Sequence, residues 1–177
     1  NSLTLRAARN IFFNGSVSGA SDRALNVYGY SDTDNASGGA IRFGSSISTF
    51  GGDVILGGGT TATTGGCATS FSCTTGFAST ANSGTFAIYL TGASQSINAA
   101  GGNIVMRGLG SPTSSTNGDG ILLDSAGAIS TSGSGTISLT GIATGGFNGV
   151  RIFSTNISAG TGNITITGNS NSLSSYS

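Results

Sequence analysis

The chain has 177 residues and no net charge, because six Arg balance six Asp; Lys, Glu, His and Trp are absent. A neutral chain without a basic cluster has nothing to attract a phosphate backbone or an anionic bilayer, so neither nucleic-acid binding nor membrane insertion is expected. Only 7% of residues are charged and 32 are Gly, which removes most good helix formers and favours turns and strands. No apolar run is long enough to span a bilayer and no signal peptide is recognisable. The chain opens without Met directly into a strand pattern, as mature material or a piece of something longer would. Gly and Ser in this abundance also suit a flexible linker, but 36% of residues are apolar, and they gather in alternating pairs that a linker does not need.

In chain order, Leu5 is followed by the pair Ile11/Phe13 within ARNIFFNG (8–15). Residues 14–40 hold a further pair, Leu25/Val27, that fits no repeat and suggests a loop excursion. Ile41/Phe43, Ile47 and Val54/Leu56, the last in GGDVILGG (51–58), make the first complete unit. A long insertion at about 59–84 then carries both cysteines. Three more units follow: Ile88/Leu90, Ile97 and Ile104/Met106 (GGNIVMRG, 101–108); Ile121/Leu123, Ile129 and Ile137/Leu139 (SGTISLTG, 134–141); and Val150/Ile152, Ile157 and Ile164/Ile166 (TGNITITG, 161–168).

Each pair at i and i+2 has the period of a strand with one buried face. The unit is therefore strand A (a pair), strand B (a single apolar residue) and strand C (a pair), with ARNIFFNG aligned on strand C and Leu5 on strand B. Strand A recurs at intervals of 47, 33 and 29 residues. Three short one-sided strands cannot close a core alone, whereas stacked units bury a continuous column. The fold expected is all-β: a right-handed parallel β-helix, a three-faced solenoid of about 30 residues per coil and one domain over 1–177. An antiparallel sandwich would not need the fixed A-B-C order.

Cys67 and Cys73 lie six positions apart with no His to complete a zinc site. A local disulfide is predicted, closing a loop in the insertion and implying an oxidising, extracytoplasmic setting.

The segments GDGILLDSAGAISTSGSGTISLTG (118–141) and NGVRIFSTNISAGTGNITITG (148–168) resemble repeats of giant secreted bacterial proteins of the filamentous haemagglutinin type, exported by two-partner secretion or as autotransporter-like adhesins. The resemblance spans most of the chain, best over 85–168. It implies a secreted, cell-surface shaft and transfers no functional residue. The family's N-terminal secretion motifs, which contain Asn-Pro, are missing, since Pro112 is the only proline.

Six carboxylates without Glu, His or Lys are a thin supply for acid–base catalysis. Asp119 and Asp124 flank one strand A, and Asp22, Asp32 and Asp34 share an early loop; both groups read as turn residues, and no enzyme, metal or cofactor is expected. Asp53 falls in a repeat column with Asn10, Asn103, Thr136 and Asn163, which suggests a polar cap on the turn into strand C. The Thr-x-Thr rows of an ice-binding face fail after Ser138/Thr140 and Thr165/Thr167. Alternation turns Arg42, Tyr89, Leu122 and Arg151 outward from strand A, and Arg42, Tyr89 and Arg151 are candidate glycan contacts. The same alternation turns Phe12, Ile55 and Val105 outward from strand C as an apolar stripe. That stripe is expected to lie beneath Phe71 and Phe77 of the insertion, or beneath a neighbouring chain. The expected function is a structural or adhesive shaft module of a secreted bacterial surface protein, its partner a surface glycan or protein. The alternatives are a fibre subunit that self-associates end to end and a polysaccharide-degrading enzyme.

Overall fold

Strands of two to eight residues separated by Gly, Ser and Thr corners are too short to stand alone, so each is held by the strand above and below it. The computed structural model describes residues 1–33, 38–58, 78–79, 86–110, 118–144 and 146–171. Among these, strands are the regular elements and every pairing between them is parallel. The result is a β-solenoid with three sheets.

Face A stacks β2 (Ile11–Phe13), β5 (Ile41–Phe43), β9 (Ile88–Leu90), β12 (Ile121–Asp124) and β15 (Val150–Phe153). Face B stacks β3 (Val17–Ser18), β6 (Ile47–Ser48), β10 (Ile97–Asn98), β13 (Ile129–Ser130) and β16 (Ile157–Ser158). Face C stacks β1 (Ser2–Arg6), β4 (Asn26–Ser31), β7 (Val54–Gly58), β11 (Ile104–Leu109), β14 (Ile137–Thr144) and β17 (Ile164–Asn171), with β8 (Ala78–Ser79) pairing beside β11. At about 4.8 Å per coil, five coils make a stack of roughly 25 Å.

The expected columns form. Ile88, Ile121 and Val150 are in register on face A, and Ile97, Ile129 and Ile157 on face B. Ile41, Ile47, Leu56, Ile88, Ile97, Ile104, Ile121 and Ile129 are all fully buried.

The first coil is displaced from its expected place. Ile11/Phe13 pair with Ile41/Phe43 and so belong to face A, while Leu5 lies opposite Gly29 on face C. Residues 14–33 therefore belong to the coils and are not a loop excursion: they hold β3 and β4, and the detour between those strands turns back at an antiparallel bridge between Ala20 and Arg23. Two features hid this. An apolar pair followed by Gly is common to strands A and C. In β4 the second inward position is Gly29, so its pair is incomplete; Phe13, Ile41 and Leu56 close over the space a side chain would take there. Phe13 stacks on Phe43 with ring centroids 5.0 Å apart, filling the core beside that gap.

The corner from B to C permits the close approach of coils. A Cβ on Gly102 would strike the carbonyl oxygen of Gly52, one on Gly135 that of Gly102, and one on Gly162 that of Gly135. Only glycine fits where each backbone rests on the one below. Beside this column runs a polar ladder. Asn26 Oδ1 accepts from Asp53 N at 2.9 Å, Asp53 Oδ1 from Asn103 N at 2.7 Å, and Asn103 Oδ1 from Thr136 N at 3.0 Å. The cap role expected for Asp53 and Asn103 holds, but Asn26 takes the place assigned to Asn10, whose Oδ1 instead accepts from Ala40 N on face A.

Core continuity predicts unequal costs for equal truncations. Ile121→Ala, in the middle of the stack, is expected to lower unfolding free energy by about 2–5 kcal/mol. Ile166→Ala, at a site 45% exposed in the last coil, is expected to cost about 1 kcal/mol. Denaturant unfolding of the two variants checks this, and equal losses would contradict it.

Candidate functional site

Outward side chains on a solenoid stand in rows, because each coil repeats the alternation of the one beneath. On face A the register aligns Phe12 with Arg42, Arg42 with Tyr89, Tyr89 with Leu122 and Leu122 with Arg151. Arg42, Tyr89 and Arg151 thus share one row, as expected. Phe12 joins that row instead of the face C stripe, because β2 belongs to face A. It is 50% exposed.

Arginine and aromatic side chains interleave along the row. The Arg42 guanidinium carbon lies 5.6 Å from the Phe12 ring centroid and 5.3 Å from that of Tyr89. Phe86, just before β9, packs at 5.6 Å from Tyr89 and lies beneath Arg151 at 5.8 Å. Leu122 is buried among these outward groups. Sequence alternation could not find Phe86, which precedes the strand.

The charges of the row are handled differently. Arg151 Nε stands 3.2 Å from Asp119 Oδ2, and Asp119 is only 1% exposed. The other oxygen, Oδ1, accepts from Asn148 N at 2.8 Å and from Asn148 Nδ2 at 3.2 Å. Asp119 is committed to holding this corner. Asp124, at the far end of β12, lies five residues along an extended strand, roughly 16 Å away, beyond the separation of a glycosidase carboxylate pair. Among the described residues Arg42 has no such counter-ion, and its Nε is shielded from water and donates to no acceptor.

The outward row of face C is Tyr28, Ile55, Val105, Ser138 and Thr165. Tyr28 therefore replaces Phe12 in the expected stripe. Ile55 is 5% exposed and clusters with Tyr30, against which Tyr28 and Val105 pack. The Tyr28 and Tyr30 rings are nearly parallel, 6.4 Å apart, and Arg6 lies 5.9 Å from the Tyr30 centroid. Arg107, the next outward residue after Val105, is buried, and burial pushes its guanidinium below the usual range. The predicted Cys67–Cys73 disulfide, with Phe71, Phe77 and Asp34, lies outside the described residues. Among the described residues no three His, Cys, Asp or Glu side chains group as metal ligands.

No protein-family model, curated protein or solved structure matches the chain. The candidate site rests on its own geometry.

Burial raises the Tyr30 phenol above its ordinary value of 10.0, Tyr28 adds to the rise, and Arg6 opposes it. The folded state then holds its proton where the unfolded chain has lost it. Its contribution to stability is full below about pH 10 and is lost as pH rises through the higher folded value. Ultraviolet phenolate absorbance should show one tyrosine ionising late, together with falling denaturant resistance above pH 10, and Tyr30→Phe should remove both. Retention of the late transition in Tyr30→Phe would contradict the assignment.

Proposed function

We propose that this chain is a shaft module of a secreted bacterial surface protein of the filamentous haemagglutinin type, and that it acts mechanically, without catalysis. The observation that carries this reading is the unbroken register of inward residues through all three faces. Such a stack bends little, because bending would separate parallel strands that share backbone hydrogen bonds and a dry core at every coil. A rigid, neutral, hydroxyl-rich rod suits the task of holding binding regions away from a cell. The extracellular setting is supported by the resemblance of residues 118–168 to secreted repeats and by the spacing of Cys67 and Cys73 in an insertion.

A second reading is a fibre in which copies stack end to end, the apolar columns of one copy continuing into those of the next. Ile164 is 43% exposed, and Ile152 and Ile166 are also open. The first coil offers Leu3/Leu5, Ile11/Phe13 and Val17 in the same three columns. Sedimentation and negative-stain microscopy of the 177-residue polypeptide separate these readings. The shaft reading predicts short single rods that sediment as monomers at all concentrations. Filaments that disappear in Ile166→Asp would establish the fibre reading instead. Release of reducing ends from an acidic polysaccharide would overturn both.

A further inference from the structure

Among the described residues, the row on face A contains a cation, Arg42, with no carboxylate paired to it. Arg42 is half-buried, with its guanidinium carbon 5.6 Å from the Phe12 ring centroid and 5.3 Å from that of Tyr89. Its Nε is out of contact with water and donates to nothing. Held beside two rings, the guanidinium has already lost part of the freedom that binding would otherwise take away, and an incoming carboxylate would meet its terminal nitrogens, not the shielded Nε. The second arginine of the row differs: Arg151 is neutralised by buried Asp119 at 3.2 Å. Among the described residues the row therefore has one cation without an ion pair, Arg42, flanked by aromatic rings.

We infer that Arg42, Phe12 and Tyr89 form a binding site for a carboxylated polysaccharide, with Arg42 taking a uronate carboxylate and the two rings stacking on the flanking sugars. The site has three features that select this chemistry. A planar carboxylate matches the two-pronged donor edge of a guanidinium. Half-exposed Phe12 offers a flat apolar surface to the C–H face of a sugar ring. The row also runs along the stack, one side chain per coil at about 4.8 Å, so a linear polymer can lie across successive side chains.

An acidic peptide fits less well. Peptides that dock on sheets add to a free strand edge, but β5 is paired on both sides, to β2 and to β9. Nucleic acid would need several unneutralised cations along the groove.

The inference does not depend on the shaft reading, since a rod that binds nothing remains a rod. The test is retention of the whole chain on immobilised polygalacturonate, with dextran as the neutral probe and dextran sulfate as the non-carboxylate anion. Wild type is expected to bind polygalacturonate, to ignore dextran and to bind dextran sulfate more weakly. Arg42→Ala should weaken polygalacturonate binding at least about tenfold. Arg42→Lys should lose most of the same affinity while keeping the charge, and Tyr89→Ala should weaken binding while Tyr89→Phe does not. Arg23→Ala, at an exposed arginine paired only with its neighbour Asp22, should bind like wild type. Thermal melts of each variant show whether the rod is intact. Failure of wild type to bind polygalacturonate, undiminished binding by folded Arg42→Ala, or equal binding by Arg42→Lys with dextran sulfate preferred would each overturn the site.

Discussion

Every other feature of this protein depends on the contact of backbone with backbone between coils. Where Gly102 rests on the Gly52 carbonyl, and Gly135 on that of Gly102, adjacent coils approach as closely as main chains can. That contact sets the spacing at which strands on all three faces share hydrogen bonds. It also stacks the inward side chains as like on like, isoleucine on isoleucine. A side chain at any of these glycines would lift one coil from the next and open all three sheets at that level.

Because inward positions are dictated by the stack, chemical variety is confined to the outward rows and to the links between coils. The outward sides of faces A and C have used that freedom differently. Face C gathers Tyr28, Tyr30, Ile55 and Val105 into an outer apolar cluster, so the sheet is covered on both sides over β4, β7 and β11. Face A keeps Phe12 open and sets arginines between aromatic rings. The buried Asp119 anchors Arg151 and leaves Arg42 as the cation without a carboxylate. A rod can thus vary its surface at no cost to its core, since these side chains point away from it while their backbones keep the ladder.

The architecture was legible because a solenoid writes its period into the chain. From Ile41 onward each A, B and C strand was located by its apolar pair or single residue, and each pairs with the equivalent strand of the next coil. The register also carried the outward row Arg42, Tyr89, Leu122 and Arg151 directly. The first coil was misplaced because its evidence was local. Ile11/Phe13 could be strand A or strand C by alternation, and the stretch Asn14–Ser18 that would have decided it, matching Gly44–Ser48, carries a single apolar residue, Val17, among small residues found at every corner.

Alternation and repetition are properties of the chain, so from Ile41 onward the face and the inward side of each strand were set by the order of residues alone. Which residues meet across coils is a property of the stack. The Phe13–Phe43 packing over Gly29, the Phe86 ring under Arg151, the pairing of Asp119 with Arg151 and the Arg42 guanidinium beside Phe12 and Tyr89 all depend on groups 16 to 65 positions apart. Those separations follow no fixed period, because the links between coils differ in length. Only the closed stack determines which side chain lies above which.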